Sequence, residues 1–125
     1  MLEIREKNSS EGYEELAGLV GENKLHIAES YEKDRVSGYI AYAYGEDKTM
    51  IFDYSSGGDL DLCDGLVRSV LFKSILKGID KAVFMLTDKQ KYENLIRLRF
   101  ITADDNTMHN LNEFMNGCKN CRRKE

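Results

Sequence analysis

The chain has 125 residues, enough for one hydrophobic core that needs no disulfide or metal to hold it. Apolar residues make up 42% and charged residues 32%, which excludes a disordered chain. A net charge of -4 leaves no global basic field for nucleic acid, and no apolar run approaches the ~20 residues of a membrane span.

In chain order, Leu2 and Ile4 alternate with charged Glu3 and Arg5, the pattern of a short half-buried strand. Ser9-Ser10-Glu11 offers a cap, and Tyr13, Leu16, Ala17 and Val20 follow at helical spacing up to Gly21-Glu22-Asn23. Strands are predicted over Leu25–Tyr31, Val36–Tyr44 and Thr49–Tyr54, separated by polar turns at Glu32-Lys33-Asp34 and Gly45-Glu46-Asp47-Lys48. Such short turns imply an antiparallel meander. Proline is absent, so Asp, Ser, Asn and Gly must set the turns and caps.

Ser55 to Asp61 forms a loop with two glycines and two aspartates. The longest helix follows from Leu62 to Lys77, with Leu62, Leu66, Val67, Val70, Leu71, Ile75 and Leu76 three or four apart. Lys73 and Lys77 suit its negative end, and Gly78 is the expected cap. Ala82–Leu86 is a continuous apolar run, the mark of a strand buried on both faces. A strand, a long helix and another strand make a crossover, so this strand should lie parallel to Thr49–Tyr54. Thr87-Asp88 caps another helix with Tyr92, Leu95, Ile96 and Leu98 inward. Phe100-Ile101 is the expected sixth strand, and Asp105-Asn106-Thr107 caps a last helix with Met108, Leu111, Phe114 and Met115. The reading is one α+β domain over residues 1–125, ending in a cysteine-containing tail over 117–125.

This order of strand, helix, meander, glycine-bearing loop, long helix, buried strand and helix resembles the GNAT (acyl-CoA N-acyltransferase) superfamily over roughly residues 1–102. The resemblance implies a mixed sheet whose fourth and fifth strands splay to hold acetyl-CoA or another acyl-CoA. In that family the loop before the long helix turns its N–H groups toward the pyrophosphate. The stretch matching the family's Arg/Gln-x-x-Gly-x-Gly/Ala motif is Cys63-Asp64-Gly65-Leu66-Val67-Arg68-Ser69-Val70-Leu71. Cys63 then stands at the Arg/Gln position and Leu66 and Arg68 at the glycines, with Gly65 one residue out of register. Later, Asn94-Leu95-Ile96-Arg97-Leu98-Arg99-Phe100-Ile101 matches the family's Leu-Tyr-x-x-x-Gly-Phe ending. Leu95 takes the place of the frequent tyrosine acid, Arg99 replaces the glycine, and Tyr92 lies one turn earlier. The resemblance thus implies a divergent acyltransferase, or a relic that binds a ligand without catalysis, with an acyl-CoA site at Phe52, Asp53, Tyr54, Gly65 and Arg68 and, if active, Glu29 as general base and Tyr92 as acid for an amine or other small-molecule substrate. Asp59, Asp61 and Asp64 crowd the entrance of the long helix. One of them ~5 Å from a phosphate costs roughly 3 kcal/mol at an effective dielectric of about 20, so acetyl-CoA is expected to bind weakly.

The cysteines give a second reading. Cys118-x-x-Cys121 has the spacing of half a zinc knuckle, and Cys63 would join it from the long helix. His109 or Asp64 would complete a zinc site, and three thiolates also suit an iron–sulfur cluster. The helix N-terminus beside Cys63, and Arg122, Arg123 and Lys124 beside the tail cysteines, should lower the thiol pKa values, so the same three cysteines also suit a redox-responsive module with a reversible disulfide and no metal. His26 reads as a surface or packed strand histidine rather than a base, and the sheet tyrosines Tyr31, Tyr39, Tyr42, Tyr44 and Tyr54 as core that partly lines a cleft. A third reading is an interaction module in which a sheet edge or the last helix pairs with another chain, for instance in a homodimer. An odd, scattered set of cysteines and a charged stretch from Met1 to Asn8 lead to an expected cytoplasmic location. Neither nucleic acid nor membrane is an expected partner.

Overall fold

The computed structural model describes residues 2–7, 12–18 and 24–115. Its strands are β1 (Leu2–Lys7), β2 (His26–Glu32), β3 (Arg35–Tyr44), β4 (Thr49–Ser55), β5 (Ala82–Phe84) and β6 (Thr107–Met108). Its helices are α1 (Glu14–Ala17), α2 (Leu60–Leu76) and α3 (Lys89–Arg97), with a helical segment over 111–115. The strands form one sheet in the order β1-β2-β3-β4-β5-β6, antiparallel except for the parallel pair β4–β5. The expected meander and its crossover to a parallel strand are both present. Among the described residues no helix is long and apolar enough to cross a membrane.

The alternation of the strands sorts the side chains onto two faces. Ala28, Ile40, Tyr42, Ile51 and Tyr54 face α2 and pack on Leu62, Leu66, Val67, Val70 and Leu71. Leu95 of α3 and Leu111 of the last helical segment extend the same cluster. A buried hydroxyl pair, Thr49 Oγ1 to Ser74 Oγ at 2.6 Å, ties β4 to α2 inside it. The opposite face buries Ala43 and Phe52 against Leu25 and Met50.

The chain turns where its residues accept unusual backbone angles. Lys33 (φ 53) and Asp34 (φ 67) make the two-residue hairpin between β2 and β3. Asp59 caps α2, its Oδ1 accepting from Asp61 N at 2.9 Å and Leu62 N at 3.1 Å, so the helix begins two residues before the expected Leu62. It ends in a Schellman motif with Gly78 at φ 82: Gly78 N donates to Ile75 O and Ile79 N to Ser74 O, both at 2.9 Å.

Three expectations need correction. β5 stops at Phe84 rather than Leu86, because α3 draws Leu86 away. Phe100-Ile101 is not a strand; Phe100 N donates back to Leu95 O at 3.0 Å and so closes α3. The last helix does not begin at Met108. Thr107–Met108 instead forms β6 on the free edge of β5, satisfying backbone groups that a helix would have left unpaired. Asp105 turns the chain into β6 by accepting from Thr107 N at 3.0 Å, and Asp80 caps the later helical segment through Asn112 N at 3.0 Å. The expected cap at Ser9-Ser10-Glu11, Val20 and the tail lie outside the described residues.

Gly38 marks the tightest approach in the sheet. A Cβ there would sit 2.4 Å from Ser55 O and 3.2 Å from Leu62 Cδ2. Gly38→Ala is therefore expected to destabilise the fold by about 2–3 kcal/mol, read as a lower midpoint in urea, because strand and helix must move apart.

Candidate functional site

β4 and β5 pair only at Thr49↔Ala82, Met50↔Val83 and Ile51↔Phe84, with one more bond from Met85 N to Ile51 O at 2.8 Å. Beyond that point β5 ends while β4 continues to Ser55. On its other side β4 is irregular at the same level. Tyr42 faces Ile51 and Ala41 faces Asp53, so Phe52 is an extra residue, a β-bulge. The bulge bends β4 where it loses its parallel neighbour, and the two strands part.

Four side chains hold the parting. Tyr92 of α3 donates to Phe84 O at 2.8 Å and accepts from Leu86 N at 2.8 Å, fixing the end of β5. Tyr54, buried under α2, reaches across to donate to Lys91 O at 2.8 Å. Lys91 Nζ returns to Asp53 Oδ1 at 2.6 Å. α3 is thus tethered to both strands at its first turn, where Asp88 caps it through Gln90 N and Lys91 N.

The face away from α2 carries an acidic, aromatic recess. Asp53 Oδ2 accepts from Tyr39 at 2.7 Å. Glu29 accepts from Tyr13 at 2.6 Å and Tyr31 at 2.8 Å. The Tyr13 and Tyr39 rings lie 4.9 Å apart and join the two carboxylate networks. A cavity of about 350 Å³ opens beside them, lined by Tyr13, Glu14, Glu15, Tyr39 and Asp53 among others. Burial, reinforced by the carboxylate each one faces, pushes the Tyr13 and Tyr39 hydroxyls well above the ordinary tyrosine range. Both remain protonated donors.

The expected site residues divide into two groups. Glu29, Asp53 and Tyr92 gather around the recess and the parting strands. Phe52 supplies the bulge but buries its ring, and Tyr54 serves the parting through its hydroxyl. Gly65 and Arg68 lie elsewhere. A Cβ on Gly65 would meet Ile4 Cδ1 of β1 at 4.0 Å. Arg68 grips Asp64 through Nε at 3.0 and 2.9 Å and lies over the rings of Phe100 and Phe114. Leu95 is fully buried core. At the α2 N-terminus Asp59 occupies N–H groups that a phosphate would use, while Gly57 (φ 60) and Gly58 (φ 84) leave the loop open to solvent.

Cys63 is fully buried. Burial pushes its thiol pKa up, with the charge on Asp64 adding to the effect, which reverses the expected lowering by the helix N-terminus. Its interaction with Tyr54 opposes that rise without cancelling it. Cys118 and Cys121 lie outside the described residues. Among the described residues no group of three or more His, Cys, Asp and Glu is arranged to hold a metal. The fourth-ligand candidates are engaged elsewhere, His109 with Asp105 at 2.8 Å and Asp64 with Arg68.

Tyr39 is one of the sheet tyrosines expected to line a cleft in part, whereas the sequence does not mark Tyr13 and Lys91 as site residues. Alternation along β3 puts Tyr39 on the face of Glu29 and Asp53, a signal that was present. Nothing local signals that Tyr13 or Lys91 reaches its partner, 16 and 38 positions away.

A meander, a bulged fourth strand, a helix crossover and a parting fifth strand define a GNAT-like fold. Solved structures agree. A putative acetyltransferase of the GNAT family from Desulfovibrio desulfuricans aligns with a TM-score of 0.59 at 16% identity, over 79% of this chain and 82% of that one. An aminoglycoside acetyltransferase from an uncultured soil metagenomic sample, solved with trehalose, aligns with a TM-score of 0.57 at 15% identity, over 78% and 85%. No protein-family model and no curated protein matches the sequence.

Asp59→Ala removes the α2 cap and is expected to cost about 1 kcal/mol of stability in urea or thermal unfolding. Asp59→Asn, which retains a capping oxygen, should cost much less.

Proposed function

We propose that the chain is a divergent N-acyltransferase that takes a cationic amine into the acidic recess and an acyl-CoA along the parted edge of β4. The observation that carries this reading is the juxtaposition of the two. Asp53 follows the bulge at Phe52 directly and also lines the recess. An amine held there would stand beside the strand segment that has lost its parallel partner.

In this reading the carboxylates of Asp53, Glu14 and Glu15 draw in the ammonium group, while the faces of Tyr13 and Tyr39 hold its carbon chain. Glu29 is the proton sink, reached through the Tyr13 hydroxyl that already bonds to it. N–H groups of the β4 edge polarise the thioester carbonyl. The amine nitrogen bonds to the acyl carbon and the carbon–sulfur bond breaks. Tyr92, at the end of β5, returns a proton to the departing thiolate. The likeness to GNAT-family acetyltransferases supports acetyl-CoA as the donor to try first.

A second reading is a ligand-holding protein without catalysis. It is favoured by Asp59, whose carboxylate already satisfies the helix N-terminus, and by the Tyr54 and Lys91 links that span the parting strands. Both readings make acetyl-CoA binding weak. Removing the charge while keeping the cap, with Asp59→Asn, should tighten acetyl-CoA about three- to tenfold in calorimetry, since screening reduces the full Coulomb value at this exposed position.

The deciding experiment monitors thiol release from acetyl-CoA with a panel of primary amines that includes an aminoglycoside. Turnover that drops about a hundredfold in kcat in Glu29→Gln, with KM for the amine little changed, is the expected result. Amine binding without any thiol release would leave only the second reading. Binding of neither amine nor acetyl-CoA would reject both.

A further inference from the structure

The far end of α3 carries a second cavity, outside the acyl-transfer machinery. α3 ends at Arg97, five to six residues beyond Lys91 and Tyr92, so its C-terminus lies about 8 Å along the helix axis from them. The cavity measures about 480 Å³. Its lining combines Ile96, Phe100, Ile101 and Ala103 with Arg99 and His109. Phe100 and Ile101 are buried and form an apolar floor.

The backbone that presents Arg99 is unusual. Arg99 N donates to Ile96 O and Phe100 N to Leu95 O, both at 3.0 Å, which closes a Schellman motif with Arg99 at its left-handed position, φ 68. α2 ends in the same motif with Gly78 at φ 82. A long side chain is disfavoured in that conformation, and glycine is not. The chain therefore bears a cost at α3 that it avoids at α2. Among the described residues the Arg99 side chain makes no hydrogen bond or ion pair. The nearby carboxylate of Asp105 is already occupied, Oδ1 by Thr107 N at 3.0 Å and Oδ2 by His109 Nε2 at 2.8 Å.

We propose that this cavity binds a small carboxylate with an apolar body, its ring or chain on Phe100 and Ile101 and its carboxylate on the Arg99 guanidinium. Guanidinium is a planar fork of donors matched to a carboxylate. The apolar floor favours an anion with a hydrophobic body over a bare inorganic anion, which would leave that surface wet. The Asp105–His109 pair bounds the cavity and leaves the guanidinium as the cation open to a ligand there.

The test is a ¹H–¹⁵N NMR titration of the full chain with sodium benzoate. Benzyl alcohol serves as the neutral counterpart and inorganic phosphate as the anion without an apolar body. Benzoate is expected to shift the amides of residues 96–107 saturably, with both controls about tenfold weaker or more. Arg99→Gly should weaken benzoate about tenfold or more while raising Tm by roughly 2–5 °C, which separates lost binding from lost folding. Arg99→Gln retains a side chain at the left-handed position and should weaken benzoate to the same degree; it decides the matter alone if the glycine variant does not fold. Unmoved amides at 96–107, unchanged benzoate affinity in either folded variant, or phosphate binding as tightly as benzoate would overturn the proposal.

Discussion

The structure turns on where β4 loses its parallel neighbour. A parallel pair needs a long crossover, and α2 supplies it, which puts the helix across one face of the sheet. The pairing lasts from Thr49↔Ala82 to Ile51↔Phe84 and is then interrupted on both sides of β4, by the bulge at Phe52 and by the end of β5. Such a gap in a sheet must be satisfied by something. Here Tyr92 takes the last carbonyl of β5 and the N–H of Leu86, and Tyr54 and Asp53 bind α3 to β4. The parted strand ends are therefore joined by a polar frame that sits beside buried core side chains such as Leu86 and Leu95.

The two faces of the sheet do different work. The α2 face packs aliphatic and aromatic side chains, with polar atoms paired among themselves, as in Thr49 to Ser74, Ser30 Oγ to Ser37 Oγ at 2.9 Å, and Tyr42 donating to Glu6 at its edge. The other face collects tyrosine hydroxyls on carboxylates. Each carboxylate accepts from more than one donor, so its position is set before any ligand arrives. Tyr13 couples the short α1 to this arrangement. A four-residue helix has little stability of its own, and the hydrogen bond to Glu29 together with the ring contact to Tyr39 helps to anchor it. Ligand contacts in the recess would bear on the placement of α1 through the same side chain.

Much of the fold was legible because its signals are local. Turn length separated antiparallel from parallel pairing, and the spacing of Leu62, Leu66, Val67, Val70 and Leu71 marked the face of α2 on the core. The misread elements were decided by distant groups. Thr107–Met108 looked like the start of a helix because Asp105 is a good cap, yet the open edge of β5 claimed those residues as a strand. Asp80, more than thirty residues away, caps the helical segment that does form. The site was legible in part for the same reason. Glu29 and Asp53 announce themselves as carboxylates on strands, whereas the pairing of Asp53 with Lys91 depends on how α3 docks. Gly65 and Arg68 drew attention through a motif alignment, but helical geometry turns them toward Ile4 and toward Phe100 and Phe114.

The N-terminus of α2 shows how stability and binding compete for the same groups. The first N–H groups of a helix have no partner within it, and an anion or a capping carboxylate satisfies them equally well. Asp59 holds two of them, and Asp61 adds a further negative charge in the first turn. Asp64 is different, because Arg68 neutralises it one turn later. Much of the repulsion a phosphate would meet therefore comes from the cap itself. A phosphate-bearing ligand would have to displace that carboxylate or bind beside it, at the open glycines Gly57 and Gly58. Displacement gives up the cap, and binding beside it retains the repulsion. Either route subtracts from affinity, so in the proposed reading an acyl donor would draw most of its binding from the β4 edge rather than from the helix.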